Sequence, residues 1–133
     1  MQDRPTVSEL LAAVRGFLED EVVGALDGPR RFHALVAANV LAIAERELAG
    51  EEGALVAEWQ RLAALLGSSP EEPPARLAAL RSAVRESTAA LVERIRRGDA
   101  DEGPFREAVR AHAWQTVQEK LRVANPKLVS PRG

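Results

Sequence analysis

The chain has 133 residues, no cysteine, and 18 basic against 20 acidic side chains. That length suits one compact domain, the missing cysteine excludes disulfides, thiolate catalysis and Fe–S ligation, and the near-neutral balance offers no footprint for a nucleic-acid backbone. With 46% hydrophobic residues but only two tryptophans, three phenylalanines and no tyrosine, the apolar share is rich in alanine and leucine, which favours closely packed helices over sheet.

Read in chain order, the helical period predicts an all-α, single-domain antiparallel bundle of about five helices over residues 1–126, followed by a flexible tail at 127–133. Thr6 and Glu9 have the spacing of a capping box, and Pro5 discourages helix upstream. From there Val7, Leu11, Val14, Leu18 and Val22 recur at three- and four-residue steps until Asp27-Gly28. A second helix over 29–49 is apolar almost all round, which makes it the expected central helix of the bundle. Gly50 is positioned to stop it. Leu55, Trp59, Leu62 and Leu66 then form the stripe of a third helix, with Trp59 in the core. Gly67 to about Pro73 reads as a loop, because consecutive prolines disfavour helix before them. The fourth helix is expected from near Pro74 to Gly98 and the fifth from Pro104 to Ala124, ended by Asn125-Pro126. No basic segment followed by an apolar stretch opens the chain, and no run reaches the roughly 20 apolar residues of a membrane span, so the expected location is the cytoplasm, without membrane contact.

Catalytic and metal apparatus is not visible in the pattern. His33 and His112 are the two histidines, and neither has a carboxylate or a second histidine at the helical step used by zinc or di-iron motifs. No phosphate loop or nucleophile elbow is present either, so no catalytic residue, cofactor or metal is expected. Asn39 is the most informative single position. On an ideal helix Phe32, Leu35, Ile43 and Arg46 lie within about 40° of it, so an amide and a guanidinium share one side of a helix expected to be buried. Either Asn39 bonds a neighbouring helix and fixes register, or Asn39 and Arg46 border a pocket for a small anionic or acyl ligand. Arg31 and His33, near the start of the same helix, are expected to face outward, to carboxylates on another helix or on a partner. Trp114 reads as a partly buried core edge with a surface contact as the alternative. Spare apolar residues such as Val23, Leu66 and Trp114 allow a homodimer without specifying one.

The opening Met1-Gln2-Asp3-Arg4-Pro5-Thr6, with Glu9-Leu10-Leu11 and Ala13-Val14, resembles a bacterial family of uncharacterised small helical proteins. So do Arg31-Phe32-His33, Val36-Ala37-Ala38-Asn39, Arg46-Glu47-Leu48, Lys120-Leu121 and Asn125-Pro126, so the resemblance spans nearly the full chain. Leu35 stands where many relatives carry arginine. The family is encoded beside kinase-like proteins of the aminoglycoside-phosphotransferase type and acyl-CoA dehydrogenases. The resemblance therefore implies an accessory or regulatory partner of such an enzyme, and it establishes no reaction. Asp3 and Arg4 precede the first cap and add nothing to helix periodicity, so they either dock on the domain's own helices or contact the partner.

Overall fold

A computed structural model describes residues 3–69 and 72–130. They form four helical rods, with no strand among the described residues. The first, α1, covers residues 7–25 as an α-helix Val7–Phe17, a π turn Leu18–Val22 and a last α turn Val23–Ala25. Its start is the expected capping box: the Glu9 amide donates to the Thr6 hydroxyl at 3.2 Å and the Thr6 amide donates to the Glu9 carboxylate at 2.7 Å. The π turn inserts one residue into the helical step, and the Val23 amide accordingly reaches back to the Leu18 carbonyl. The extra residue rotates the inward face, so Val23 becomes buried while Val22 is half-buried.

The remaining rods are α2 (Gly28–Leu65), α3 (Leu77–Arg96) and α4 (Gly103–Ala124). The expected second and third helices are one continuous 38-residue helix, which reduces the count from five to four. Gly50 stops nothing because it keeps a helical backbone: the positive-φ glycines are Gly28, Gly67, Gly98 and Gly103. Ending the helix at Gly50 would strand up to four carbonyls there and four amides at the restart, against the roughly 1 kcal/mol that each interior glycine costs. Glu51, just past it, also pairs with Arg81 of α3.

The later breaks follow the sequence. At Gly67 (φ 73°) the Ser68 amide donates to the Ala63 carbonyl at 2.9 Å and the Gly67 amide to Ala64 at 3.3 Å. The same closing pattern recurs at Gly98, where the amides of Asp99 and Gly98 donate to Arg94 and Ile95. A Cβ on Gly98 would also come within 2.9 Å of the Asp101 carboxylate. α3 begins at Leu77 instead of near Pro74, since the residues up to Arg76 remain extended or bent. Pro126–Leu128, which take in the first two residues of the expected tail, form a 3-10 turn, and the Ser130 hydroxyl donates to the Pro126 carbonyl at 3.0 Å.

The chain divides into two compact units whose boundary falls inside α2. One comprises the chain as far as Gly50 together with Val123–Asn125; the other comprises Glu51–Arg122 and the segment from Pro126. In the first unit α1 and the N-terminal part of α2 are joined through Leu26-Asp27 and tied by the Arg15–Glu45 ion pair. Its buried apolar residues are Val23, Ala34 and Ala38. The expected burial of a central helix over 29–49 is therefore overturned: Phe32, Leu35, Val36 and Val40 are exposed, and so is Asn39. One neighbouring helix can cover one face only, and small alanines occupy that face. The second unit contains the main core, in which Trp59, Leu62, Leu80, Val84 and Leu91 are buried and Phe105 and Val109 pack against them. Trp59 is the core residue its stripe implied, whereas Trp114 is 65% exposed and no core edge.

Candidate functional site

The second unit carries a groove between the last turns of α2 and the length of α4. Its walls are Ala57, Ala64 and Leu65 on one side and Pro104, Phe105, Ala108 and Ala111 on the other, and it encloses about 840 Å³. Alanines at these positions keep both walls low, because a larger side chain three or four residues along either helix would fill the trough. Polar groups gather at one end: Arg61, His112, Gln115 and Glu119.

Arg61, Gln115 and Glu119 are linked by hydrogen bonds. Arg61 reaches across from α2 and donates from both terminal nitrogens to the Glu119 carboxylate at 2.8 Å, the bidentate fork that fits a guanidinium to a carboxylate. The Gln115 amide adds a bond to Glu119 at 3.2 Å. Burial pushes the Glu119 carboxyl up, but the Arg61 and Gln115 hydrogen bonds and the Arg61 and Arg122 charges outweigh it, so its pKa is lowered. For His112 the dominant effect is burial, reinforced by the Arg61 charge and opposed by Glu58 and Glu119, and its pKa is lowered too. The imidazole is therefore neutral at neutral pH. Its Nδ1 and the Arg61 Nε are shielded from solvent without a hydrogen-bond partner among the described residues.

The other end of the groove is fixed by Arg94 of α3. Its guanidinium lies 4.0 Å from the centre of the Phe105 ring, donates to the Leu65 carbonyl at 3.2 Å and pairs with Asp99 at 3.0 Å. One side chain thus caps the C-terminal end of α2, stacks on a groove wall and holds the turn before α4. The Asp99 carboxyl is held below its usual range by hydrogen bonds from Arg94 and Arg97.

The six candidate contact residues read from sequence, Asp3, Arg4, Arg31, His33, Asn39 and Arg46, lie in the first unit and border none of this groove. Asp3 and Arg4 are exposed, and Arg4 stands 3.7 Å from Glu9, which is contact with the chain's own first turn. Arg31 and His33 face solvent, as expected, but neither forms an ion pair with a described residue. Asn39 is exposed, and among the described residues no side-chain hydrogen bond joins it to a neighbouring helix. Arg46 is half-buried, and its Nε donates to the Val123 carbonyl at 2.7 Å, so it caps the end of α4. Sequence reasoning passed over Arg61 and Glu119 because they are 58 residues apart and carry no local pattern. The available signal was the run of alanines beside Phe105 and Val109, which marks a low wall next to a packed stripe.

No helix among the described residues is long and apolar enough to cross a membrane. The family model described as "Domain of unknown function (DUF6285)" matches residues 24–128, a span that includes all of α2, α3 and α4. No curated protein and no solved structure matches the chain.

Proposed function

We propose that this chain, which belongs to the DUF6285 family, is a non-catalytic accessory protein whose second unit docks an amphipathic helix of a partner protein. The observation that carries the reading is the alanine-walled groove itself. From Pro104 to Glu119 it follows about four turns of α4, roughly 22 Å, which matches a short helix laid lengthwise. Low alanine walls permit close helix approach, and an apolar trough with a charged end is the form in which amphipathic helices are received. The Arg61–Glu119 pair, already mutually neutralised, gives the partner a polar end to align against without leaving an isolated charge buried. Of the partners that the resemblance implies, a kinase-like protein of the aminoglycoside-phosphotransferase type or an acyl-CoA-processing enzyme is the candidate.

Co-expression tests this directly. Tagged wild-type chain is expected to retain the kinase-like partner through purification, and Ala108→Arg, which places a charge in the trough, is expected to release it. Purification of the wild-type chain alone at micromolar concentration would overturn the stable-complex reading. A second reading, an acyl ligand in the same groove, is favoured by its volume, which lies within the range of small-molecule sites. In that case acyl-CoA esters or fatty carboxylates raise the melting temperature of the wild type, and Ala108→Trp abolishes the rise.

A further inference from the structure

The polar end of the groove in the second unit has one uncommitted titratable group. Among the described residues the groove wall holds three side chains that can carry charge, Arg61, His112 and Glu119. Arg61 spends both terminal nitrogens on Glu119, and the two Glu119 oxygens are taken by Arg61 and by the Gln115 amide. Their charges cancel, which leaves His112. Its ring is half-buried and its Nδ1 is shielded from solvent, so the groove meets the imidazole at the edge that carries Nε2. The charged groups that act on the ring are Glu58 and Arg61 of α2 and Glu119 of its own helix, while α3 sends Arg94 to the opposite end of the groove. Burial and Arg61 outweigh the two carboxylates and keep the ring neutral. Its one available change is from neutral to positive, so this wall can offer a ligand a cation and has no free anion to offer.

We propose that the groove takes a medium-chain fatty acid, with the alkyl chain along the alanine wall of α4 and the carboxylate at His112, which takes up a proton from solution as the ligand binds. That assignment rests on the acyl-ligand reading of the groove and adds the group that selects the head. A carboxylate is the matching anion because it carries one charge, which one proton on His112 balances. A phosphate ester head, close to doubly charged at neutral pH, would leave charge uncompensated in a half-buried place. An opposite charge a few ångströms away favours the imidazolium and reverses the effect of burial, so ligand and proton bind together. The length of the alkyl chain follows from α4: from Pro104 to Ala111 the wall runs roughly 11 Å, which an extended chain of about eight to ten carbons covers. Arg61 is a positioning residue here. Tied to Glu119, it withholds the groove's own carboxylate from His112 and keeps the ring unprotonated until a ligand carboxylate arrives.

Decanoate and its neutral analogue decanol are the probes, titrated into the full chain by isothermal calorimetry below the micellar concentration. At pH 6 decanoate is expected to bind tighter than decanol by about five-fold or more, the margin of a charge-assisted head contact. Its affinity is expected to rise about three-fold or more from pH 8 to pH 6, where the fatty carboxylate stays ionised, because the complex holds a proton that the free protein releases. Titration at pH 7 in phosphate and in Tris, buffers of different ionisation heat, is expected to show net proton uptake. His112→Phe and His112→Gln are each expected to remove the uptake and the pH dependence together. Equal binding of decanol and decanoate, or binding without proton uptake, overturns the proposal and leaves the acyl reading of the groove intact. Decanoate binding that survives Ala108→Trp overturns it as well, since the ligand then sits elsewhere. Absence of binding by either probe overturns both. The wild-type comparisons need no His112 variant, so a poorly folded one leaves the test decisive.

Discussion

His112 shows how burial and a neighbouring cation set one side chain's chemistry. Its folded pKa is depressed, by desolvation first and the Arg61 charge second, so the unfolded chain binds a proton more readily than the folded one. The contribution to stability is then fully present above the unfolded value of about 6.5 and is lost as pH falls below it toward the folded pKa. Glu119, Glu45 and Asp99, whose folded pKa values are also lowered, lose their contributions only below the ordinary carboxylate range, so the two windows separate. Urea unfolding between pH 7 and pH 5 is expected to show falling stability in the wild type and a flatter profile in His112→Leu. An equal slope in both would remove His112 from the account. The Thr6–Glu9 cap was legible at this scale because both partners lie within one turn. The Arg61–Glu119 fork was not, since only the folded chain brings its halves together.

Among the elements, α2 departs most from what local pattern implies. Glycine has the composition of a helix stop at positions 50 and 53, but stopping also requires a left-handed turn and partners for the freed carbonyls, which Gly67 and Gly98 have. At neither Gly50 nor Gly53 would an added Cβ meet another atom within 4 Å, so alanine there restores helix propensity with no steric cost. Gly50→Ala and Gly53→Ala are each expected to stabilise the protein by about 0.5–1 kcal/mol, read as a rise of a few degrees in melting temperature. A loss of stability at either site would mean that the bend or close approach of a helix is needed there. α1 repeats the lesson in another form. Its apolar residues sort into an inner set, including Leu11 and Leu18, and an outer row of Val7, Leu10, Val14 and Phe17, each more than half exposed. Periodicity identified the helix and could not say how much of its apolar surface the chain itself would cover.

For the whole molecule, the two units differ in how they are held. Large side chains interlock in the unit that begins at Glu51, and Leu62 and Leu80 are fully enclosed. Leu62→Ala is expected to cost about 2–5 kcal/mol in urea unfolding, because the transfer energy is lost and a cavity remains. Val14→Ala, on the outer row of α1, is expected to change stability by less than about 1 kcal/mol, so that comparable losses at both positions would contradict the burial pattern. By itself the sequence determined the all-α class, the capping box, the breaks at Asp27-Gly28, Gly67, Gly98 and Asn125, and the place of Trp59, because each depends on residues within a turn or two of one another. Tertiary structure decided the rest: that two apolar stripes share one helix, that the alanine-rich half of α2 shields only its smallest residues, and that the groove lies along α4. Those outcomes depend on how many neighbours a helix has, and periodicity along one chain does not encode that number.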